Sequence, residues 1–221
     1  MRLSESVQPA IPVPSRQPYR IAFVGLDRSG KTVTLKRLSR GVLVNTKPTT
    51  GFSTDIFTFL GVQFCVLDLG NFRTFQIFWE KFLPKQQAVV FFIDSADISR
   101  LPETSIALNR TLEWVDPDTP VMILANKQDL DGALSLITLT QALNLTLVSK
   151  IRHLRFFSFS AKTGLGIYEA FNWITKVLEK SISPQNCNFC PFCGIFPLLR
   201  GWEGEKRQEL VFCVQCGNRV Q

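Results

Sequence analysis

The chain lacks any long uninterrupted apolar run. Its longest mid-chain stretch is Ala88 to Ile93, far short of the roughly 20 residues that a membrane-spanning helix needs. A spanning role is therefore excluded, and a buried strand fits that stretch instead. No apolar segment near Met1 resembles a secretory leader, so the expected location is cytoplasmic, with peripheral membrane contact as the alternative. A basic stripe is missing too, although the formal charge is +7. Residues 1–20 carry three arginines against Glu5, and residues 184–221 carry four cations against three glutamates; the remaining excess is diffuse. Such a distribution gives nucleic-acid binding little support.

What is present is a globular composition, 45% hydrophobic and 19% charged over 221 residues, enough for one domain and a small appendage. Residues 1–19 hold Pro9, Pro12, Pro14 and Pro18, too many for a helix, and read as a flexible arm. From Ile21 short apolar runs alternate with longer mixed segments. Ile21–Val24, Cys65–Leu67, Ala88–Ile93, Val121–Ala125 and Leu154–Phe159 read as strands. Lys31–Ser39, Phe75–Leu83, Leu101–Trp114, Ser135–Leu143 and Gly166–Glu179 read as helices. This alternation predicts an α/β domain over residues 20–182, a mostly parallel six-stranded sheet with helices on both faces. Thr54–Phe59 and Val62–Leu67, joined by Leu60 and Gly61, read as its one antiparallel hairpin.

Three motifs sit at strand ends. Residues 25–32, GLDRSGKT, form a complete phosphate-binding loop between a strand and a helix. In it Gly25 and Gly30 let backbone N–H groups converge on phosphate oxygens, together with Asp27, Arg28, Ser29 and Val33 around the loop. Lys31 supplies charge to the β- and γ-phosphates, and the Thr32 hydroxyl ligates Mg²⁺. Asn126-Lys127-Gln128-Asp129 follows the strand Val121–Ala125. A carboxylate at Asp129 accepts the N1–H and 2-amino hydrogens of guanine, whereas adenine leaves it unpaired, which discriminates strongly. The Lys127 stem lies along the base, and Asn126 ties the two loops. Ser160-Ala161-Lys162 follows the last strand, with the Ala161 N–H aimed at the guanine carbonyl. The expected ligands are GTP or GDP with Mg²⁺.

These motifs, with Lys47-Pro48-Thr49-Thr50-Gly51-Phe52, Asp68-Leu69-Gly70 and Trp79, resemble those of the Arf family of small GTPases, Arf-like proteins included. The resemblance spans about residues 20–180. It implies that Thr49 reaches Mg²⁺ and the γ-phosphate, that Asp68 holds Mg²⁺ through water, and that the Gly70 N–H contacts the γ-phosphate. It also implies that the hairpin between the switches slides between nucleotide states, and that effector and regulator proteins are the partners.

Two departures stand out. The family pattern Asp-x-Gly-Gly-Gln reads here Asp68-Leu69-Gly70-Asn71-Phe72. Phe72 cannot orient the attacking water, and loss of such a contact costs on the order of 10²-fold or more in rate. The expected consequence is a switch with slow intrinsic hydrolysis; another residue or a partner orienting the water remains open. Arg28, inside the loop, reads either as a cis arginine finger or as a solvent-facing side chain. Arg2 replaces the glycine that N-myristoylation requires, so an acylated anchor is not expected.

Beyond the linker-like residues 181–186 the composition changes. Cys190-x-x-Cys193-Gly and Cys213-x-x-Cys216-Gly are separated by 19 residues, and four thiolates suit a closed structural Zn²⁺ site. Residues 187–221 thus resemble a zinc ribbon whose folding energy is metal binding. A pair of disulfides is the alternative reading, disfavoured in a reducing interior. Cys187, which makes a further CxxC with Cys190, leaves an iron–sulfur site open. Residues 195–199 and Trp202 read as packing or partner-facing surface. Two other functions stay open: a non-hydrolysing GTP-bound scaffold, and a zinc-ribbon nucleic-acid binder gated by GTP.

Overall fold

The computed structural model describes residues 17–44, 46–143, 151 and 153–181, together with the backbone of 198–203 and 208–213. Residues Pro18–Ser183 form one compact unit. In it, Tyr19–Gly25 (β1) leads through the phosphate-type loop into Lys31–Arg40 (α1). Phe52–Phe59 (β2) and Val62–Leu69 (β3) form a hairpin, and Phe72–Phe82 (α2) follows. Next come Ala88–Asp94 (β4), Leu101–Trp114 (α3) and Val121–Asn126 (β5). Leu136–Ala142 (α4), Leu154–Ser158 (β6) and Ile167–Ser181 (α5) complete the unit.

The sheet order is β2-β3-β1-β4-β5-β6, with β2 antiparallel and every other pairing parallel. The alternation of strands and helices, and the lone hairpin, stand where the sequence predicts them. Most ends move by one to three residues, as the fraying of apolar patterns at element ends leads one to expect. The β4 run is continuous in apolar residues because both of its faces are covered. Val89, Phe91 and Ile93 pack with Trp79, Leu108 and Leu112 on one side. Val90 and Phe92 pack with Leu35, Phe171 and Ile174 on the other. Since β3 and β4 flank β1 on opposite sides, the chain changes direction there, and the carboxyl ends of β1 and β5 open onto a crevice.

Helix α2 begins earlier than the predicted Phe75. Asn71 caps it by accepting from the Arg73 N–H, and Phe75 itself departs from helical geometry (φ −123°, ψ 23°), so the helix carries a kink. A separate two-stranded antiparallel hairpin pairs Leu198–Glu203 (β7) with Gln208–Cys213 (β8), and Leu198 stands opposite Cys213. The predicted ligands Cys190, Cys193 and Cys216, and Cys187 with them, lie outside the described residues. Among the described residues no helix is long and apolar enough to cross a membrane.

Candidate functional site

A cavity of about 530 Å³ opens at the carboxyl ends of β1 and β5. Its walls hold Asp27, Arg28, Gly30, Lys31, Thr32 and Val33 from the first loop, and Thr49 and Gly70 from the segments flanking β2 and β3. The far end is lined by Asn126, Lys127, Asp129, Ala161 and Lys162. Gly25, Ser29, Asp68 and Ser160 stand behind this surface.

The first loop is shaped by its close approach to β5. Gly30 adopts φ +96°, and a Cβ there would collide with the Asn126 amide. That amide donates from Nδ2 to Ser29 O at 2.7 Å. Ser29 turns its hydroxyl back to Leu26 O (2.8 Å) and is buried, so it serves the loop's shape. Lys31 Nζ donates to Gly25 O (2.9 Å) and Leu26 O (2.8 Å). Burial pushes this ammonium down from the usual 10.5 to about 8, against the opposing pull of Asp68 and Asp27.

Three oxygen groups converge beside it. Thr32 Oγ1 donates to Asp68 Oδ2 at 2.6 Å, Thr49 Oγ1 lies 3.0 Å from Thr32 Oγ1, and Thr49 also reaches Asp68 Oδ2 at 3.4 Å. Asp68 is fully buried, and burial raises its pKa despite the Thr32 hydrogen bond and Lys31. Among the described residues its second oxygen, Oδ1, is buried without a hydrogen-bond partner. An all-oxygen set containing an unsatisfied buried carboxylate oxygen suits a hard divalent cation such as Mg²⁺. The Gly70 N–H donates to Gly51 O at 2.8 Å, and the fully buried Trp79 donates its indole N–H to Gly70 O at 3.0 Å.

At the other end the polar groups are mutually satisfied. Ser160 Oγ donates to Asp129 Oδ1 at 2.6 Å and holds that carboxylate toward the cavity, while Lys162 Nζ lies 3.8 Å from Asp129 Oδ2. Lys127, at φ +69°, donates to Asp94 Oδ2 at 2.5 Å. The Ala161 N–H, expected to face a base carbonyl, donates instead to Asn126 Oδ1 at 2.9 Å. A ligand carbonyl must therefore share or replace that bond.

Phe72 is placed away from the cavity. It is 7% exposed and packs against Trp79 and Trp114, with ring centroids 5.3 and 6.3 Å away. At the usual glutamine position the chain thus has a core anchor, and the neighbouring Asn71 lines the cavity. Arg28 is exposed at φ +61° on the cavity rim, with no side-chain hydrogen bond or ion pair among the described residues.

Sequence reasoning missed Arg100. Its Nη1 meets Asp27 Oδ1 at 2.9 Å, its Nη2 donates to Asp27 O at 3.2 Å, and its Nε bonds Asp97 at 2.6 Å. The first loop is thereby fastened to the segment after β4. No local signal marks a contact across 73 positions, and Asp27 is held by this arginine rather than free for a ligand.

Comparison with known proteins bears on this arrangement. The model of the ADP-ribosylation factor family matches residues 10–178. The chain belongs to that family. ADP-ribosylation factor 1 of Brassica rapa subsp. pekinensis is 36% identical over 72% of this chain and 88% of its own length. ADP-ribosylation factor-like protein 1 of Saccharomyces cerevisiae is 35% identical over 75% of this chain and 91% of its own. Among solved structures, the Arl6 BBS3 small GTPase from Trypanosoma brucei, with the nucleotide analogue GppNp bound, superposes with TM-score 0.65 at 26% identity. It covers 74% of this chain and 99% of that one. Family membership implies a GTP-binding switch on a P-loop small-GTPase fold, and it extends to the domain that carries the cavity.

Proposed function

We propose that the chain is an Arf-type switch that binds GTP and GDP with Mg²⁺ in the cavity, hydrolyses GTP slowly by itself, and recruits protein effectors when GTP-bound. The observation carrying this is the convergence of Thr32, Thr49 and Asp68, one carboxylate oxygen unsatisfied, at one end of a cavity whose other end presents Asp129 and Ala161.

The roles follow from the geometry. Lys31 would offer phosphate oxygens the donor that its two carbonyl partners leave, and their charge would offset the burial penalty on the ammonium. Thr32, Thr49 and, through water, Asp68 hold Mg²⁺, which when bound neutralises charge on the β- and γ-phosphates. Thr49 and Gly70 lie in the two switch segments; the Gly70 N–H, expected to meet the γ-phosphate, is held by Gly51 O and would have to leave it for both segments to close on that phosphate. Asp129, aimed by Ser160, accepts from guanine. No side chain in the usual glutamine place faces the attacking water, because Phe72 belongs to the core. The β2–α2 face supports effector docking: Phe52 is 49%, Phe78 37% and Ile77 79% exposed, on the elements that the switches bracket.

Within this reading the chain divides into an arm at residues 1–19, the GTPase domain at 20–182 and a ribbon at 187–221. The ribbon binds one Zn²⁺ through Cys190, Cys193, Cys213 and Cys216. The paired CxxCG spacing and the β7–β8 hairpin that ends at Cys213 support this. One zinc per chain is expected, lost on Cys213→Ser; a metal-free folded tail refutes it.

Nucleotide-free protein incubated with Mg²⁺ and GTP, then denatured and its nucleotide identified over time, tests the main reading. Retained GTP that converts to GDP over hours supports it, and rapid conversion refutes slow hydrolysis. Absence of bound guanine nucleotide overturns the whole reading. The burial of Phe72 also favours a second reading, a GTP-bound scaffold that never hydrolyses. GTP that persists even with cell extract as a source of activating protein would select it.

A further inference from the structure

Arg37 lies on α1, less than two turns beyond Lys31, yet its side chain serves the opposite end of the cavity. Its Nη1 donates to Ala161 O and to Lys162 O, each at 2.6 Å, and its Nη2 reaches Thr163 O at 3.4 Å. Three consecutive carbonyls of the loop after β6 therefore converge on one guanidinium. A planar, multi-donor fork meets them with a fixed geometry, whereas a lysine ammonium has three donors on a mobile stem and fixes their direction less well.

The loop is built around that fork. Gly164 closes the turn by donating to Ser160 O at 2.9 Å. It adopts φ +95°, and a Cβ there would stand 2.9 Å from Arg37 Nη2. Fixing the Ala161 and Lys162 carbonyls fixes two successive peptide planes, since each amide is rigid. The N–H of Ala161 is held from the other side by Asn126 Oδ1. Ala161 is thus gripped at both ends, by a strand and by a helix, at the position that faces the base. Among the described residues, no side-chain hydrogen bond joins this clamp to the Thr32–Thr49–Asp68 cluster.

We propose that Arg37 is a specificity-positioning residue. It ties the base-selecting loop to the helix that carries Lys31 and Thr32, so that one rigid element sets both the phosphate register and the guanine-facing N–H. This rests on the cavity being a guanine-nucleotide site. Guanine presents a carbonyl where adenine presents an amino group, so a correctly held N–H attracts the first and rejects the second. A loop free to tilt loses that difference first.

The experiment uses the full chain loaded with fluorescent GDP, in wild type, Arg37→Met and Arg37→Lys. Dissociation is followed after addition of excess GDP, and GTP is competed against ATP. Arg37→Met keeps the aliphatic stem and removes the donors. It should release GDP about 10-fold faster and lose a similar factor in GTP-over-ATP preference, as expected for charge-assisted hydrogen bonds. The Mg²⁺ concentration that half-retains nucleotide should not change. Arg37→Lys should fall between the two. If Arg37→Met does not fold, the preference of Arg37→Lys decides in the same way. Wild-type dissociation and preference in the variants overturn the proposal, as does lowered thermal stability with preference intact. A wild-type chain that does not favour GTP over ATP sinks the nucleotide reading itself, and the role of Arg37 with it.

Discussion

The two ends of the cavity are built on different principles. At the base end the cavity's polar groups have protein partners among the described residues: Asp129 with Ser160, Lys127 with Asp94, Ala161 with Asn126, and the loop carbonyls with Arg37. At the phosphate end Lys31 sits buried on two carbonyls, and Asp68 keeps one oxygen unsatisfied. The first arrangement is pre-organised and loses little freedom on binding. The second carries a desolvation penalty that an anion and a cation would relieve. On the proposed reading, selectivity belongs to the rigid end. The response to the ligand belongs to the end that is short of partners, and that is where the two switch segments meet.

The largest expected effect comes from breaking the rigid end. Asp129→Asn turns one of two acceptor oxygens into a donor and removes the charge, so guanine's two donors no longer both find an acceptor. GTP affinity should fall on the order of 10³-fold, measured by competitive displacement of labelled GDP. Unchanged affinity would mean that Asp129 does not face the base. Next, Lys31→Met removes the penalised charge. The empty protein should gain about 1–3 kcal/mol in urea denaturation, while GTP affinity falls by more than tenfold. A destabilised empty variant would show that Lys31 is well accommodated without ligand.

Phe72→Gln sharpens the contrast from the switch side. An amide between Trp79 and Trp114 is costly, so stability should drop by about 2–3 kcal/mol. The expelled side chain should then raise single-turnover hydrolysis about tenfold. Lost stability with unchanged hydrolysis would place the rate defect elsewhere in the site. Smaller still is the effect of Arg100→Ala, which frees Asp27 from its half-buried guanidinium. Nucleotide should dissociate roughly threefold faster, on the order of 0.6 kcal/mol, in keeping with a partly exposed pair.

A pH dependence follows from the same lysine. Lys31 has a folded pKa of about 8, below its ordinary 10.5, so between these values the unfolded chain binds more protons. Its contribution to the stability of the empty protein therefore rises with pH from about 8 to 10.5. The slope should vanish in Lys31→Met. It should also vanish with Mg²⁺ and nucleotide bound, since phosphate restores the lysine's pKa. Denaturation at pH 7.5 and 9.5 with and without nucleotide checks both.

The fold was legible because its signals are local. The run Ala88–Ile93 announces a doubly covered strand, and Leu60-Gly61 between alternating segments announces a hairpin. The loop at residues 25–32 names its own flanking elements. At the site, residues that a fixed spacing singles out, among them Lys31, Thr32, Asn126 and Asp129, line one cavity. What escaped depends on contacts between distant parts of the chain. Arg100 reaches Asp27 across 73 positions and Arg37 reaches Ala161 across 124, and no periodicity or motif encodes such pairs. The start of α2 was misplaced for a subtler reason: the sequence shows Phe72 as a missing glutamine, and only packing shows it as the first core residue of a capped helix.

The bond from Trp79 to Gly70 gives the molecule an optical gauge. The indole is fully enclosed and its N–H holds the carbonyl of the glycine that faces the γ-phosphate end. Any rearrangement that pulls Gly70 away must unpair that N–H and admit water beside the ring. Emission from Trp79 should then shift to longer wavelength, so exchange of one nucleotide for another can be timed on unlabelled protein as the part of the signal that Trp79→Phe removes, the other three tryptophans supplying a constant background.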